Sequence, residues 1–300
     1  MVKCDRTHSI LSGVQAAEGG EEPMVDRTGK GPFRAARKAA PLLLTAVLFL
    51  CVALAQGARF TELTQDQKSK NGAVVDVGHA DDGYIQVKYR SSKKRIKVRV
   101  SCGDETYTYD LNQNGEFEVY PLQMGSGTYK VTVFEQVKGS QYQSVTSLSF
   151  KANIADEFSP YLYPNQYAWY GAESEAVAQA NALCEGLTTD AQRFDAIHSF
   201  VTSRFMYDYI LAMTVRSNTT YLPDVDKTLA DRKGICFDFA ALMCCMLRSQ
   251  GIPTQMVIGY ADSCYHAWNR VYVDGQWRLV DTTSEITSLI VRQYTPERRY

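Results

Sequence analysis

The chain has 300 residues, of which 45% are hydrophobic, 11% aromatic and 22% charged. This composition supports a large packed core and excludes collagen-like, disulfide-knot and wholly disordered chains. With 32 basic and 33 acidic side chains the net charge is -1, so we expect no nucleic-acid partner. The eight cysteines are too few for a disulfide scaffold in a chain of this length.

The N-terminal region has the layout of a secretory signal. Residues 1–38 are polar and lack apolar periodicity, and five basic side chains between Met24 and Lys38 precede an apolar run at residues 39–55. The run ends in Ala53-Leu54-Ala55, the small-x-small pattern that signal peptidase recognises. The sequence therefore predicts export, with the mature chain beginning near Gln56.

The same apolar run leaves an uncleaved membrane anchor open as the alternative. Its length lies at the lower end of the roughly 17–25 residues that a membrane-spanning helix needs. The positive charges before it keep the N-terminus inside the cell in either case. The rest of the chain is therefore expected to be secreted or to lie on the extracellular side of the membrane. Residues 39–55 are the one expected membrane contact.

Residues 72–154 show the period-two alternation of β-strands. Apolar and polar residues alternate in Ile85–Tyr89, Ile96–Val100 and Tyr129–Phe134, and clusters rich in glycine and asparagine separate such runs. Short strands at this spacing predict a small antiparallel β-sandwich. The segment carries no group of residues that indicates catalysis.

Seven basic side chains crowd the segment from Lys88 to Arg99. In its second half, Lys97 and Arg99 alternate with Val98 and Val100, which places the charges on the solvent face of a strand. We expect a solvated face. Contact with an anionic surface polymer is the alternative interpretation.

Two patterns resemble metal sites only in part. The run Asp110–Gly115 begins like a calcium loop, but Pro121 stands where a bidentate glutamate is required, and the Asn-Gly step favours a hairpin. Cys244-Cys245 are adjacent, and Cys264 lies two residues before His266, but this is not the spacing of a zinc site. We therefore expect neither a metal nor a cofactor.

Beyond the β module the pattern changes from strands to helices. Asp156–Tyr170 is rich in proline and tyrosine, and it predicts a packed linker with a protease-sensitive joint between two separate cores. Helical spacing follows in Glu173–Leu187 and Asp190–Met206, and again in Cys236–Arg248. Three strand-like segments come next: Gln255–Tyr260, Ala267–Val273 and Trp277–Val280. This order predicts an α+β domain at residues 171–300.

The strongest chemical indication comes from Cys236, His266 and Asp281. Cys236 begins a predicted helix just after Gly234, where unpaired N–H groups and the helix dipole favour a thiolate nucleophile. His266 lies in a predicted strand, and Asp281 closes the next strand beyond the Asp274-Gly275 turn. Antiparallel pairing of these strands brings histidine and aspartate side by side. The pattern predicts a nucleophile, a base and an orienting carboxylate.

The stretch Thr228–Thr283 resembles the core of the transglutaminase-like superfamily. The matching motifs are Leu229–Cys236, Asp238–Leu242, Leu247–Pro253, Val257–Tyr260, His266–Trp268 and Trp277–Thr283. The resemblance implies a papain-like α+β fold with Cys236 as nucleophile, His266 as base and Asp281 as orienting group. The family often has proline after this aspartate, whereas this chain has Thr282. Together with the N-terminal layout, the resemblance implies an exported protein of bacterial type.

The superfamily contains cross-linking enzymes, peptidases, deamidases and inactive members, so the resemblance leaves the reaction open. The shared step is attack by the cysteine on an amide carbonyl, which gives a thioester. Water then completes a hydrolysis, whereas an amine completes a cross-link. We expect hydrolysis of an amide or peptide bond in a protein or peptide substrate, with protein cross-linking as the alternative. A non-catalytic surface scaffold is the hypothesis from another class.

Overall fold

A computed structural model describes residues 58–93, 95–215, 218 and 220–300. The polar segment 1–38 and the apolar run 39–55 lie outside the described residues, and so does the choice between signal and anchor. Within the described ranges, no helix is both long and apolar enough to cross a membrane.

The first half of the described chain is an antiparallel β-sandwich, as predicted. Its strands are β1 (Gln67–Lys70), β2 (Ala73–Asp76), β3 (Tyr84–Lys88), β4 (Ile96–Cys102), β5 (Glu105–Leu111), β6 (Glu118–Pro121), β7 (Gly127–Lys138) and β8 (Gln141–Ala152). One four-stranded sheet has the order β1-β2-β3-β6 and the other has the order β5-β4-β7-β8. The sandwich starts before residue 72 because Asn71 and Gly72, both with positive φ, form the turn that pairs β1 with β2.

Strand β4 shows how sequence alternation builds the sandwich. Its fully buried side chains are Ile96, Val98 and Val100. Lys97 and Arg99 alternate with them on the other face of the strand. The Arg99 guanidinium lies over the Phe134 ring at 4.9 Å, and Lys97 Nζ is 3.3 Å from the Asp110 carboxylate. Part of the basic charge of this segment therefore contacts other side chains of the sandwich.

The loop between β5 and β6 is not a hairpin, contrary to the prediction from its Asn-Gly step. Strand β5 pairs with β4, whereas β6 pairs with β3, so the loop crosses from one sheet to the other. Gly115 supplies the positive φ that this turn requires. Asp110, the first residue of the calcium-like pattern, accepts hydrogen bonds from Nε (2.8 Å) and Nη2 (2.9 Å) of Arg95.

The second half packs helices against a four-stranded antiparallel sheet, which confirms the predicted α+β class. Its helices are α1 (Glu175–Cys184), α2 (Asp190–Arg204), α3 (Tyr209–Thr214), α4 (Val225–Asp231), α5 (Cys236–Arg248) and α6 (Thr282–Thr287). Its strands are β9 (Met206–Tyr207), β10 (Lys233–Gly234), β11 (Thr254–Ala261), β12 (Cys264–Val273), β13 (Gln276–Val280) and β14 (Tyr294–Arg299). The sheet order is β13-β12-β11-β14, and β9 and β10 form a separate short parallel pair.

The segment between the two halves is packed rather than exposed. Tyr161 and Tyr170 are buried in it, and the Tyr167 ring lies 5.8 Å from Tyr109 of the sandwich and 4.5 Å from Tyr300 of the second half. The two halves therefore share one continuous hydrophobic core, although no sheet of the described residues runs through both. This shared core differs from the predicted pair of separate cores. The protease-sensitive joint between about Ile154 and Tyr170 stays a prediction.

A buried arginine adds a polar connection between the same regions. Arg248, the last residue of α5, is fully buried. Its guanidinium donates through Nε to the carbonyl oxygen of Thr254 (2.9 Å), through Nη1 to that of Tyr163 (2.8 Å) and through Nη2 to that of Tyr300 (2.9 Å). One side chain thus joins the helix, the linker segment and the residue after β14.

Candidate active site

Cys236 is the first residue of α5, directly after the short strand β10. The carboxylate of Asp238 accepts a hydrogen bond from the Ile235 N–H (2.9 Å) and another from the Tyr221 hydroxyl (2.7 Å). Burial raises the pKa of Asp238, and these two hydrogen bonds oppose that rise. A Cβ at Gly234 would lie 2.8 Å from the Asp238 Cβ, so glycine is required there. The start of the helix, and with it Cys236, is therefore held in place.

Helix α5 is buried on all sides from Asp238 onward. Every side chain from Asp238 to Arg248 is buried, including Cys244 and Cys245. Burial raises the pKa of both thiols, which are small side chains packed in the core. Cys236 differs from them because it is partly exposed. As the first helical residue, it also has an N–H without an acceptor inside the helix.

The structure brings the predicted histidine and aspartate to this cysteine. Antiparallel pairing of Asn269 in β12 with Val280 in β13 places His266 near Asp281. Nε2 of His266 lies 2.9 Å from Oδ2 of Asp281, and both residues are buried. The Cys236 thiol raises the pKa of the His266 ring, so the two side chains lie close enough to interact. A thiol, an imidazole and a carboxylate from three separate elements therefore form one connected chain.

The carboxylate of Asp281 is fixed from two sides. Oδ1 accepts the backbone N–H of Ser284 (3.1 Å), because Asp281 caps the N-terminus of α6. Oδ2 accepts the hydroxyl of Tyr294 (2.9 Å) in addition to facing His266. Burial opposes the charge of Asp281, but the bond to His266 and the other donors hold its pKa below the ordinary value of 3.8. The aspartate is therefore an oriented anion at neutral pH.

The partial zinc pattern is not assembled into a metal site. His266 directs Nε2 to Asp281, and Cys264 lies at the start of the same strand. In the part of the chain that the structure describes, no three His, Cys, Asp or Glu side chains are placed to hold a metal ion together.

The environment of His266 predicts that the folded protein loses stability as the pH becomes alkaline. Burial alone would lower its pKa, but the hydrogen bonds to Asp281 and Cys236 raise the pKa from 6.5 to about 10. A raised folded-state pKa gives stability that is complete below about pH 6.5 and is lost as the pH rises through about 10. We expect the thermal midpoint of the wild-type protein to fall relative to that of His266→Gln across this range. If scanning calorimetry shows the same pH dependence of the thermal midpoint for both proteins, the raised pKa of His266 is contradicted.

This arrangement is the one that cysteine proteases and thiol acyltransferases share. Residues 177–282 match the family model of the transglutaminase-like superfamily, and the matched range contains all three side chains. This part of the chain is a transglutaminase-like domain, which confirms the resemblance found in the sequence.

The similarity to individual named proteins is more limited. The chain is 30% identical over 128 residues to human kyphoscoliosis peptidase, which amounts to 38% of this chain and 19% of that protein. A cysteine-protease candidate from Cytophaga hutchinsonii is 14% identical with a TM-score of 0.37, covering 67% of this chain and 74% of that one. Red sea bream transglutaminase is 12% identical with a TM-score of 0.29, covering 69% of this chain and 49% of that one.

Several residues around the site were not predicted. Tyr294 opens β14, whose side chains are largely exposed, so the strand lacks the alternation that marks a half-buried one. Tyr221 lies in the connection before α4, where no periodicity identifies a partner. Asp238 carried a usable signal, because an acidic residue three positions after the last extended residue is a common helix cap.

Proposed function

We propose that the protein is a thiol enzyme that attacks amide or peptide carbonyls through Cys236, with His266 as base and Asp281 as orienting group. The observation that carries the proposal is the bond of His266 to a carboxylate 2.9 Å away, together with the interaction between the imidazole and the Cys236 thiol. The partly exposed thiol at a helix N-terminus supports the same role, because that position favours the thiolate.

The proposed reaction follows from these positions. The raised pKa of His266 keeps the imidazole protonated at neutral pH, and the Cys236 sulfur beside it attacks the amide carbonyl carbon as a thiolate. The oxyanion that forms is stabilised by the free Cys236 N–H at the start of α5. His266 then protonates the departing amine as the carbon–nitrogen bond breaks, which leaves a thioester on Cys236. A water molecule, deprotonated by His266, attacks the thioester and releases the acid and the free thiol.

Hydrolysis is favoured over amine transfer in this proposal. The human relative is named a peptidase, although the similarity reaches only 19% of its length. Incubation with a library of glutamine-containing peptides, with and without a labelled primary amine, tests the choice by mass spectrometry. Cleaved or deamidated peptides support hydrolysis, whereas incorporation of the amine in preference to water supports cross-linking.

The surface beside Cys236 supports a polypeptide as the substrate. Strand β9 pairs with β10, the strand that leads to Cys236, and α3 follows β9 directly. The exposed large apolar side chains on β9, α3 and the loop beyond are Met206, Tyr209, Ile210, Met213 and Leu222. Side chains of this kind favour apolar residues that flank the reacting amide over a small polar amide.

A single charge in this surface provides a test. Ile210 is 75% exposed, so Ile210→Asp should leave folding intact and raise KM for apolar peptides about tenfold, by desolvating a carboxylate against the bound chain. The rate of Cys236 alkylation should stay unchanged. Val137→Asp, at a 60% exposed position of the sandwich, is the matched control. If Ile210→Asp and Val137→Asp have equal KM values, the surface formed by β9 and α3 does not bind the substrate.

The proposal extends to location and to a second partner. The charged segment before the apolar run 39–55 and the small residues at the end of that run support export. The exported protein is then either secreted or held at the outer face of the membrane. N-terminal sequencing of the mature protein distinguishes cleavage near Gln56 from a retained anchor.

An anionic surface polymer at Lys88–Arg99 is the proposed secondary partner. A variant in which three of these basic side chains are replaced by acidic ones should lose polymer binding, and binding that persists in it would argue against this partner.

The scaffold hypothesis makes the opposite prediction for the thiol. Cys264 is partly exposed and lies in β12, so it is the appropriate reference cysteine. If iodoacetamide labels Cys236 no faster than Cys264, the arrangement is a vestige and the protein is a non-catalytic surface scaffold. Faster labelling of Cys236 supports the enzyme.

A further inference from the structure

Tyr294 occupies a place in the site that its sequence position does not suggest. Its hydroxyl donates to Oδ2 of Asp281 at 2.9 Å, the same oxygen that lies 2.9 Å from Nε2 of His266. With Oδ1 taken by the Ser284 N–H, the carboxylate cannot rotate without breaking one of these bonds. The phenol is thus the donor that holds Oδ2 where His266 needs it.

The fold provides a specific way of bringing Tyr294 to this position. Strand β14 pairs with β11, and Gly259 in β11 is paired both with His266 and with Pro296. A Cβ at Gly259 would lie 2.2 Å from the carbonyl oxygen of Thr295. Only glycine therefore allows β14 to approach closely enough for Tyr294 to contact the aspartate.

Ring packing fixes the same side chain. The Tyr294 ring lies 5.1 Å from the Trp268 ring, which in turn stacks 6.1 Å from His266 with an interplanar angle of 20°. Burial raises the pKa of Tyr294, so the phenol keeps its proton and stays a donor throughout the neutral range. The Trp268 ring therefore packs beside the imidazole of His266, and the Tyr294 ring packs beside Trp268 with its hydroxyl on the carboxylate of Asp281.

We infer that Tyr294 is a positioning residue of the proposed enzyme, which acts through Asp281 to hold His266 in the orientation that activates Cys236. The inference rests on the proposed function. Tyr294→Phe removes only the hydroxyl and keeps the ring against Trp268. Tyr260→Phe, in the neighbouring strand and opposite Thr295, is the matched control.

The test is the rate at which iodoacetamide alkylates Cys236, where the thiolate displaces iodide and forms a thioether, measured across pH. We expect Tyr294→Phe to slow alkylation about tenfold at neutral pH and to move the acid limb upward by about one pH unit, as loss of a charge-assisted hydrogen bond would. Tyr260→Phe should stay within about twofold of the wild type. In an Asp281→Asn background, Tyr294→Phe should cause no further loss, because its effect passes through that carboxylate.

The other outcomes separate the two claims. Fast alkylation in the wild type with an unchanged Tyr294→Phe rate, or equal losses in both backgrounds, overturns the positioning role and leaves the enzyme proposal standing. A wild-type Cys236 that reacts no faster than Cys264 overturns the proposed function and this inference together. Should Asp281→Asn fail to fold, the downfield proton resonance of the His266 ring decides the question, and an identical resonance in Tyr294→Phe contradicts the role.

Discussion

Cys236→Ala should abolish turnover of any amide substrate, with a loss of more than about 10⁴-fold, because no other group at the helix start can form the thioester. His266→Ala should be nearly as damaging. Asp281→Ala should cost less, since an orienting group is partly replaceable. The measurement is steady-state turnover together with intact-mass detection of the acyl-enzyme.

Cys264→Ala is the matched control for that experiment. It also removes one sulfur from a partly exposed cysteine, and it does so in the strand that carries His266. Its turnover should be within about twofold of the wild type, and unfolding midpoints of both variants should be nearly unchanged. Retention of substantial activity by Cys236→Ala would refute the assigned nucleophile.

Arg248→Ala should be among the most destabilising single substitutions in the chain, with a loss of about 3–5 kcal/mol in the free energy of unfolding. The change leaves the buried carbonyl oxygens of Thr254, Tyr163 and Tyr300 without their guanidinium donor and opens a cavity at the end of α5. Urea denaturation followed by fluorescence measures the loss. Arg248→Lys should recover only part of it, because an ammonium cannot reach all three acceptors.

An exposed arginine provides the comparison for that loss. Arg278 pairs with Asp274 on the surface of the β12–β13 hairpin, so Arg278→Ala should change the free energy of unfolding by no more than about 0.5 kcal/mol. If Arg248→Ala shows the same denaturation midpoint as Arg278→Ala, the buried guanidinium does not stabilise the fold through its bonds to α5, the linker segment and the residue after β14.

The sequence was informative wherever periodicity or spacing carried the structure. The alternation in β4 and the helical spacing of α2 and α5 predicted those elements close to their observed bounds. The spacing from Cys236 to His266 and Asp281 indicated the three residues that the structure connects. These features are local, or they depend on one hairpin, so a linear pattern is enough to reveal them.

Other features depend on contacts between distant parts of the chain. Tyr294 contacts Asp281 only because β14 pairs with β11. The charged residues of β14 give no strand-like alternation in the sequence, because this strand lies at the edge of the sheet. The shared core was missed for the same reason. Tyr167 is a linker residue by composition, and its contacts with Tyr109 and Tyr300 become visible only once both halves are placed.

Helices α5 and α3 differ in how freely they can evolve. The side chains of α5 are buried from Asp238 onward, so most substitutions there disturb packing and cost stability. Every side chain of α3 is at least partly exposed, and substitutions at such positions usually change stability little. Mutations in α3 can therefore accumulate and be tested for new substrate preferences while the reactive cysteine stays fixed. In the proposed enzyme, reactivity depends on α5 and selectivity depends on α3, which are separate parts of the same fold.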